Sequence, residues 1–294
     1  FNILNQPLQK KQSSHFASPF LGPQVEESAI QSTLEFFKEQ VDFSKISDWE
    51  TDAARELERN NIISWFCGRS EVGPRALGHR SILADARDVK NWERVNKIKN
   101  RELWRPFAPV VLQSEADKWF SGFPLPSPYM LFNAVVNSEA IPAVTHVDGT
   151  ARIQTVNKQD GDFYGLVNEF FRLTKVPVLL NTSFNGPGEP IVETPMDAVK
   201  FFVNSGLDFL YIDSYKITRK PSNRRQKTKK SPDEISATPP IDVQAFMAEF
   251  KIKQSRARPS SLVTEILESY KGYNLVAFQG RILGIKQKIG AVNL

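Results

Sequence analysis

The chain has 294 residues, 40% apolar and 24% charged, with a formal net charge of +5. That is an ordinary globular composition, long enough to bury a sizeable core. A single cysteine, Cys67, excludes an internal disulfide framework and fits a reducing, cytoplasmic setting. The three dispersed histidines, His15, His79 and His146, offer no zinc-type ligand set, and no metal site is expected from them. No apolar run approaches a membrane span, no signal-peptide pattern is visible, and no membrane association is expected. The basicity is local: residues 219–230 carry seven cations and no acid, which exceeds the whole net charge of +5. The remainder is slightly acidic, so no specific nucleic-acid partner is expected.

In chain order, residues 1–24 are polar, Pro-dotted and read as irregular. Residues 25–38 have helical spacing through Ile30, Leu34 and Phe37, and residues 51–58 form a second short helix. The apolar run 62–66 reads as a buried strand, followed by a Gly- and Arg-rich loop and a short strand at 81–84. Residues 89–99 form an amphipathic helix through Trp92, Val95 and Ile98. A strand at 107–112 leads to a short helix capped by Ser114 and a Pro-rich loop at 122–128. The Asp148-Gly149 pair predicts a hairpin with arms at 141–146 and 152–156. Residues 162–174 read as a helix and 176–180 as a buried strand. Thr194-Pro195-Met196-Asp197 opens another helix, with a capping residue, Pro at the first position and an acid at the third. Strands at 207–212 and 214–217 close an α/β domain with a mixed sheet. Beyond a basic linker at 219–241, a helix at 261–270 and a hairpin about Gln279-Gly280 are expected to form a small appendage.

Three polar clusters stand beside strand candidates. The first is Gly68-Arg69-Ser70-Glu71-Val72-Gly73-Pro74-Arg75-Ala76-Leu77-Gly78-His79-Arg80-Ser81. The second is Lys99-Asn100-Arg101-Glu102-Leu103-Trp104-Arg105-Pro106-Phe107-Ala108-Pro109, and the third is Asn181-Thr182-Ser183-Phe184-Asn185-Gly186. Glycines let backbone N–H groups approach a ligand, and arginine forks grip phosphate or carboxylate. One anion-binding site at the strand ends is the expectation. Cys67 reads as packing, and His79 and His146 as hydrogen-bonded scaffold.

These motifs, together with Pro19-Phe20-Leu21-Gly22-Pro23 and residues 142–156, resemble the C-terminal domain of O-carbamoyltransferases of the nodulation and antibiotic-tailoring type. The resemblance spans residues 17–218; the linker at 219–241 and a module at 242–294 lie outside it. It implies a YrdC-like twisted mixed sheet with flanking helices that forms carbamoyl-adenylate from ATP and carbamoyl phosphate with Mg²⁺. An ASKHA-type N-terminal domain, in cis or in trans, would then pass the carbamoyl group to a hydroxyl. Carried over by motif, Lys99 and Arg105 would be catalytic, and Arg152, Asn181, Ser183, Asn185, Arg75 and Arg80 would bind substrate or nucleotide. An arginine usual to the family is replaced here by Pro187, which implies weaker nucleotide binding if that arginine contacts it. Two other readings stand beside this one: threonylcarbamoyl-adenylate synthesis for tRNA modification, and a non-catalytic module that binds nucleotide or a partner.

Overall fold

The computed structural model describes residues 18–221 and the strand segments 265–270, 273–278 and 281–286. The chain divides into two compact units, Phe1–Lys227 and Thr228–Leu294. Residues 1–17 and most of the basic linker lie outside the described residues.

The first unit opens with α1 (Glu27–Phe36), β1 (Val41–Lys45), α2 (Trp49–Glu58), β2 (Ile63–Phe66), β3 (Arg80–Asp85), α3 (Lys90–Ile98) and β4 (Ala108–Leu112). A short α4 (Ala116–Trp119) leads to β5 (Phe120–Ser121), β6 (Asn133–Val136), β7 (Thr150–Arg152) and β8 (Gln154–Val156). It ends with α5 (Gly161–Thr174), β9 (Val178–Ser183), α6 (Pro195–Asn204), β10 (Phe209–Ile212) and β11 (Tyr215–Arg219).

Eight strands form one mixed sheet in the order β1-β11-β10-β2-β3-β9-β4-β8, in which only the β10–β2 and β4–β8 pairs are parallel. Alternation along the strands supplies both faces with apolar side chains. Trp65 and Leu179 join the α2 and α5 residues Ala53, Leu57, Leu166 and Phe170 on one face. Phe66 and Leu180 join Ile30 and Leu34 of α1 and Val199 and Phe202 of α6 on the other. The central strands β2, β3 and β4 are buried throughout. The sheet with helices on both faces is the architecture expected.

The capping box before α6 forms as its sequence indicates: Thr194 accepts from the Asp197 N–H, and the Asp197 carboxylate accepts from the Thr194 N–H. Three expectations fail. The segment before the Asp148-Gly149 turn is not a strand, because Pro142 opens a 3-10 turn whose Ala143 and Val144 enter the core; β7 pairs with β6 instead. Ser114 does not cap α4; its N-cap position falls to Glu115, with no side-chain cap bond. In the second unit, the helix expected over 261–270 is replaced, where described, by strand β12 (Glu265–Tyr270). It pairs with β13 (Tyr273–Phe278), which pairs with β14 (Arg281–Lys286), giving an antiparallel three-stranded sheet with the expected hairpin as its second half. The paired hairpin offers β12 an edge to bond to, and tertiary pairing then overrides helical spacing.

Candidate functional site: an arginine-lined cleft

The loop between β2 and β3 is built around a carboxylate. Glu71 Oε1 accepts from the backbone N–H groups of Leu77 at 2.7 Å, His79 at 3.0 Å and Arg80 at 3.2 Å, fixing the curl that carries Arg75 outward. At the bottom of the curl Gly78 has φ of +111°, and a Cβ there would stand 2.1 Å from the Phe163 ring, so only glycine fits. Arg69 donates to the carbonyls of Gly22 and Leu21, and Phe20 stacks on His79 with centroids 3.5 Å apart. The segment around Pro19-Phe20-Leu21 thus straps the loop from outside. His79 Nδ1 lies 2.6 Å from the Arg69 carbonyl, and burial lowers its pKa, which suits the scaffold role expected.

Arg80 does not face a ligand, which corrects the expectation for it. It is fully buried, donates to the carbonyls of Cys67, His79 and Gly68 at 2.8 to 3.0 Å, and lies 3.5 Å over the Phe66 ring. It is the internal strut of the loop, although its Nε is buried without a partner.

Arg75, Arg105 and Arg152 do converge. With Arg101, Trp104, Phe107 and His146 they line a cavity of about 280 Å³, assembled from the β2–β3 loop, the α3–β4 connection and β7 with its preceding turn. Arg105 is half exposed and held at 2.8 Å by Glu102. The carbonyl of Arg105 accepts from Trp92 Nε1 at 2.7 Å and Asn96 Nδ2 at 3.0 Å, which anchors the connection from behind. Arg101 bonds Asn96 through Nε at 2.6 Å and stacks 4.4 Å over Phe107, yet its Nη2 is buried without a partner. Arg152 Nε is likewise buried and unpartnered. Burial, then the neighbouring Arg105, lowers the pKa of Arg101 to about 10; burial, then Arg75, lowers that of Arg152. Mutual repulsion and unpaired buried donors make the cleft costly when empty and favourable to an anion.

The other predicted residues stand apart from this cavity, so the single hollow expected of them separates into a cleft and a supporting knot. Lys99, only 6% exposed, sends Nζ to the carbonyl of Ser183 at 2.5 Å, Asn185 Oδ1 at 2.7 Å, the Asn185 carbonyl at 3.1 Å and Ser183 Oγ at 3.3 Å. Burial, then Arg101, lowers its pKa to about 7. Ser183 Oγ donates to Asn185 Oδ1 at 2.7 Å, completing the knot. Asn181 is buried beneath the cleft; its Nδ2 donates to Gln154 Oε1 at 2.8 Å and to the Ala76 carbonyl at 3.3 Å. Gln154 Nε2 in turn donates to the Leu77 carbonyl at 2.7 Å. This amide pair holds the backbone beside Arg75 and lies two residues from Arg152.

Sequence reasoning left out Arg101 and Trp104. The signal for Arg101 was a conformation: Lys99 ends α3 and Asn100 follows with φ of +43°, so the chain reverses between the two cations. Lys99 is thereby sent to the knot and Arg101 to the cleft. Among the described residues no group of His, Cys, Asp and Glu could hold a metal ion, and no helix is long and apolar enough to cross a membrane.

Residues 54–219 match the family model described as carbamoyltransferase C-terminus. The chain belongs to this family. Among curated relatives, it is 39% identical over 215 residues to nodulation protein NolO of Bradyrhizobium diazoefficiens, covering 69% of this chain and 39% of that protein. It is 34% identical over 229 residues to the 3'-hydroxymethylcephem-O-carbamoyltransferase of Amycolatopsis lactamdurans, covering 68% of this chain and 44% of that one. The chain thus spans about two fifths of the length of these two relatives. Full-length HypF in its phosphate- and nucleotide-bound form is a remote structural neighbour. Its TM-score is 0.42 at 14% identity, covering 56% of this chain and 25% of HypF, too distant to assign the cleft.

Proposed function

We propose that this carbamoyltransferase-family chain forms carbamoyl-adenylate, with the arginine cleft as its phosphate site. One observation carries the reading: Arg75, Arg101, Arg105 and Arg152 line a single cavity, and two of them keep buried N–H groups without a protein partner. Such donors cost free energy until an oxyanion accepts from them. Carbamoyl phosphate and the phosphates of ATP are anions of that class.

Water first converts carbamoyl phosphate into carbamate and inorganic phosphate. A carbamate oxygen then attacks the α-phosphorus of ATP; the new O–P bond forms as the bond to the β-phosphate breaks, and pyrophosphate leaves with the electron pair. Charge builds on the phosphoryl oxygens, where oriented guanidinium groups are worth most. The cavity lining holds cations, aromatics and proline but no carboxylate, so it does not fit a protein-held Mg²⁺. The Asn181–Gln154 pair and the Lys99 knot act through position: the first holds the backbone at Arg75, the second closes the Ser183–Asn185 turn. The carbamoyl group then passes to an acceptor hydroxyl at a separate transfer domain, in cis or in trans.

The test is ATP–pyrophosphate exchange by the purified chain. Exchange that requires carbamoyl phosphate is expected. Exchange that requires threonine and bicarbonate instead would overturn the substrate assignment. Nucleotide binding without any exchange would reduce the chain to a binding module.

A further inference from the structure

The cavity of about 280 Å³ lies just below the usual range for small-molecule pockets, so it receives the phosphate end of a nucleotide rather than the whole molecule. The base must then lie at the rim. One rim side chain is unusual: Trp104 is 60% exposed, although a tryptophan left in water forfeits a large burial gain. Its placement is not loose. It sits on the turn closed by the Arg105 N–H to the Glu102 carbonyl at 3.2 Å, and the Arg105 carbonyl is tied back to Trp92 and Asn96. The Arg105 guanidinium lies 5.9 Å from the indole centroid, and Arg105 lines the cleft as Trp104 does. The result is a flat apolar platform next to a phosphate-sized hollow.

We infer that Trp104 is the stacking platform for the purine base when the phosphates occupy the arginine cleft. This rests on the phosphate-site reading and adds to it the residue that distinguishes a nucleoside triphosphate from a bare polyphosphate. Stacking of a base on an aromatic side chain contributes about 1–3 kcal/mol and needs no hydrogen-bond readout. Trp104 would therefore raise affinity for purine nucleotides without selecting strongly among them.

Calorimetric titration of the full chain with ATP and with inorganic tripolyphosphate, which has no base, separates the two claims. Trp104→Ala should weaken ATP roughly 5- to 150-fold, the range that follows from the stacking free energy, and leave tripolyphosphate within about twofold. Trp104→Phe should retain most of the ATP affinity, since a ring remains. The inference fails if Trp104→Ala binds ATP as well as the parent, or if ATP and tripolyphosphate weaken together. A parent chain that binds neither ligand overturns the phosphate site itself, and the platform with it. A parent that binds both equally, with Trp104→Ala unchanged, overturns the platform alone.

Discussion

Two sets of arginines meet around the β2–β3 loop and the cleft beside it, and they do different things. Arg80, through Nη1 and Nη2, and Arg69, through Nε and Nη2, donate to carbonyls of the loop and of its strap, although Arg80 Nε is buried without a partner. Arg152 and Arg101 keep a buried N–H unspent, and Arg75 makes no hydrogen bond or ion pair among the described residues. Residue type is the same in both sets. What separates the two sets is placement: the fold brings three carbonyls to the Arg80 guanidinium inside the loop, whereas Arg75, Arg101 and Arg152 line the cleft.

The largest effect should fall on the carbonyl-bonded set, and on stability. Arg80→Met leaves the Cys67 and Gly68 carbonyls without their guanidinium donor and removes the contact with Phe66. A loss of about 3–5 kcal/mol is expected from such unpaired buried groups, read by urea denaturation. A change below about 1 kcal/mol would show that Arg80 is not a strut of the loop. The cleft-lining set should respond the other way. Arg152→Met deletes a buried donor that has no protein partner, so stability should move by less than about 1 kcal/mol. Carbamoyl-phosphate-dependent exchange should fall about 10²–10³-fold, the cost of one oriented donor. Large destabilisation with unimpaired exchange would reverse the comparison.

This difference marks how far the sequence could be read. Buried strands such as 62–66 and the capping box at Thr194 were legible because apolar runs and caps are local chemistry. The two arginine-bearing loops, 68–81 and 99–109, were legible as polar segments beside strands for the same reason. Which arginine faces the cleft was not, because it turns on Glu71 gathering three backbone N–H groups and on the reversal at Asn100. The missing arm before the Asp148-Gly149 turn has a similar cause: the turn signal was sound, but the partner strand came from Asn133–Val136, not from the adjacent segment.

Lys99 stands between the two sets and offers the smallest and sharpest test. Its ammonium is ringed by four oxygens like a strut, yet none is a carboxylate, and burial with Arg101 nearby lowers its pKa to about 7. Between that value and the ordinary 10.5 the unfolded chain binds the proton while the folded chain releases it. Stability therefore carries the full penalty below about pH 7 and rises with pH across this window, by at most about 1.4 kcal/mol per unit. The oxygen cage favours the charged form and makes the slope shallower than that limit, so a gain of about 1–2 kcal/mol from pH 7 to 9 is expected. In Lys99→Met this contribution is gone, and the difference between parent and variant, measured by urea denaturation over that range, should grow with pH in the parent's favour. Parallel curves would mean that the cage keeps Lys99 charged throughout. It would then be a strut like Arg80, and the Ser183–Asn185 turn would be held by a fixed cation rather than a titrating one.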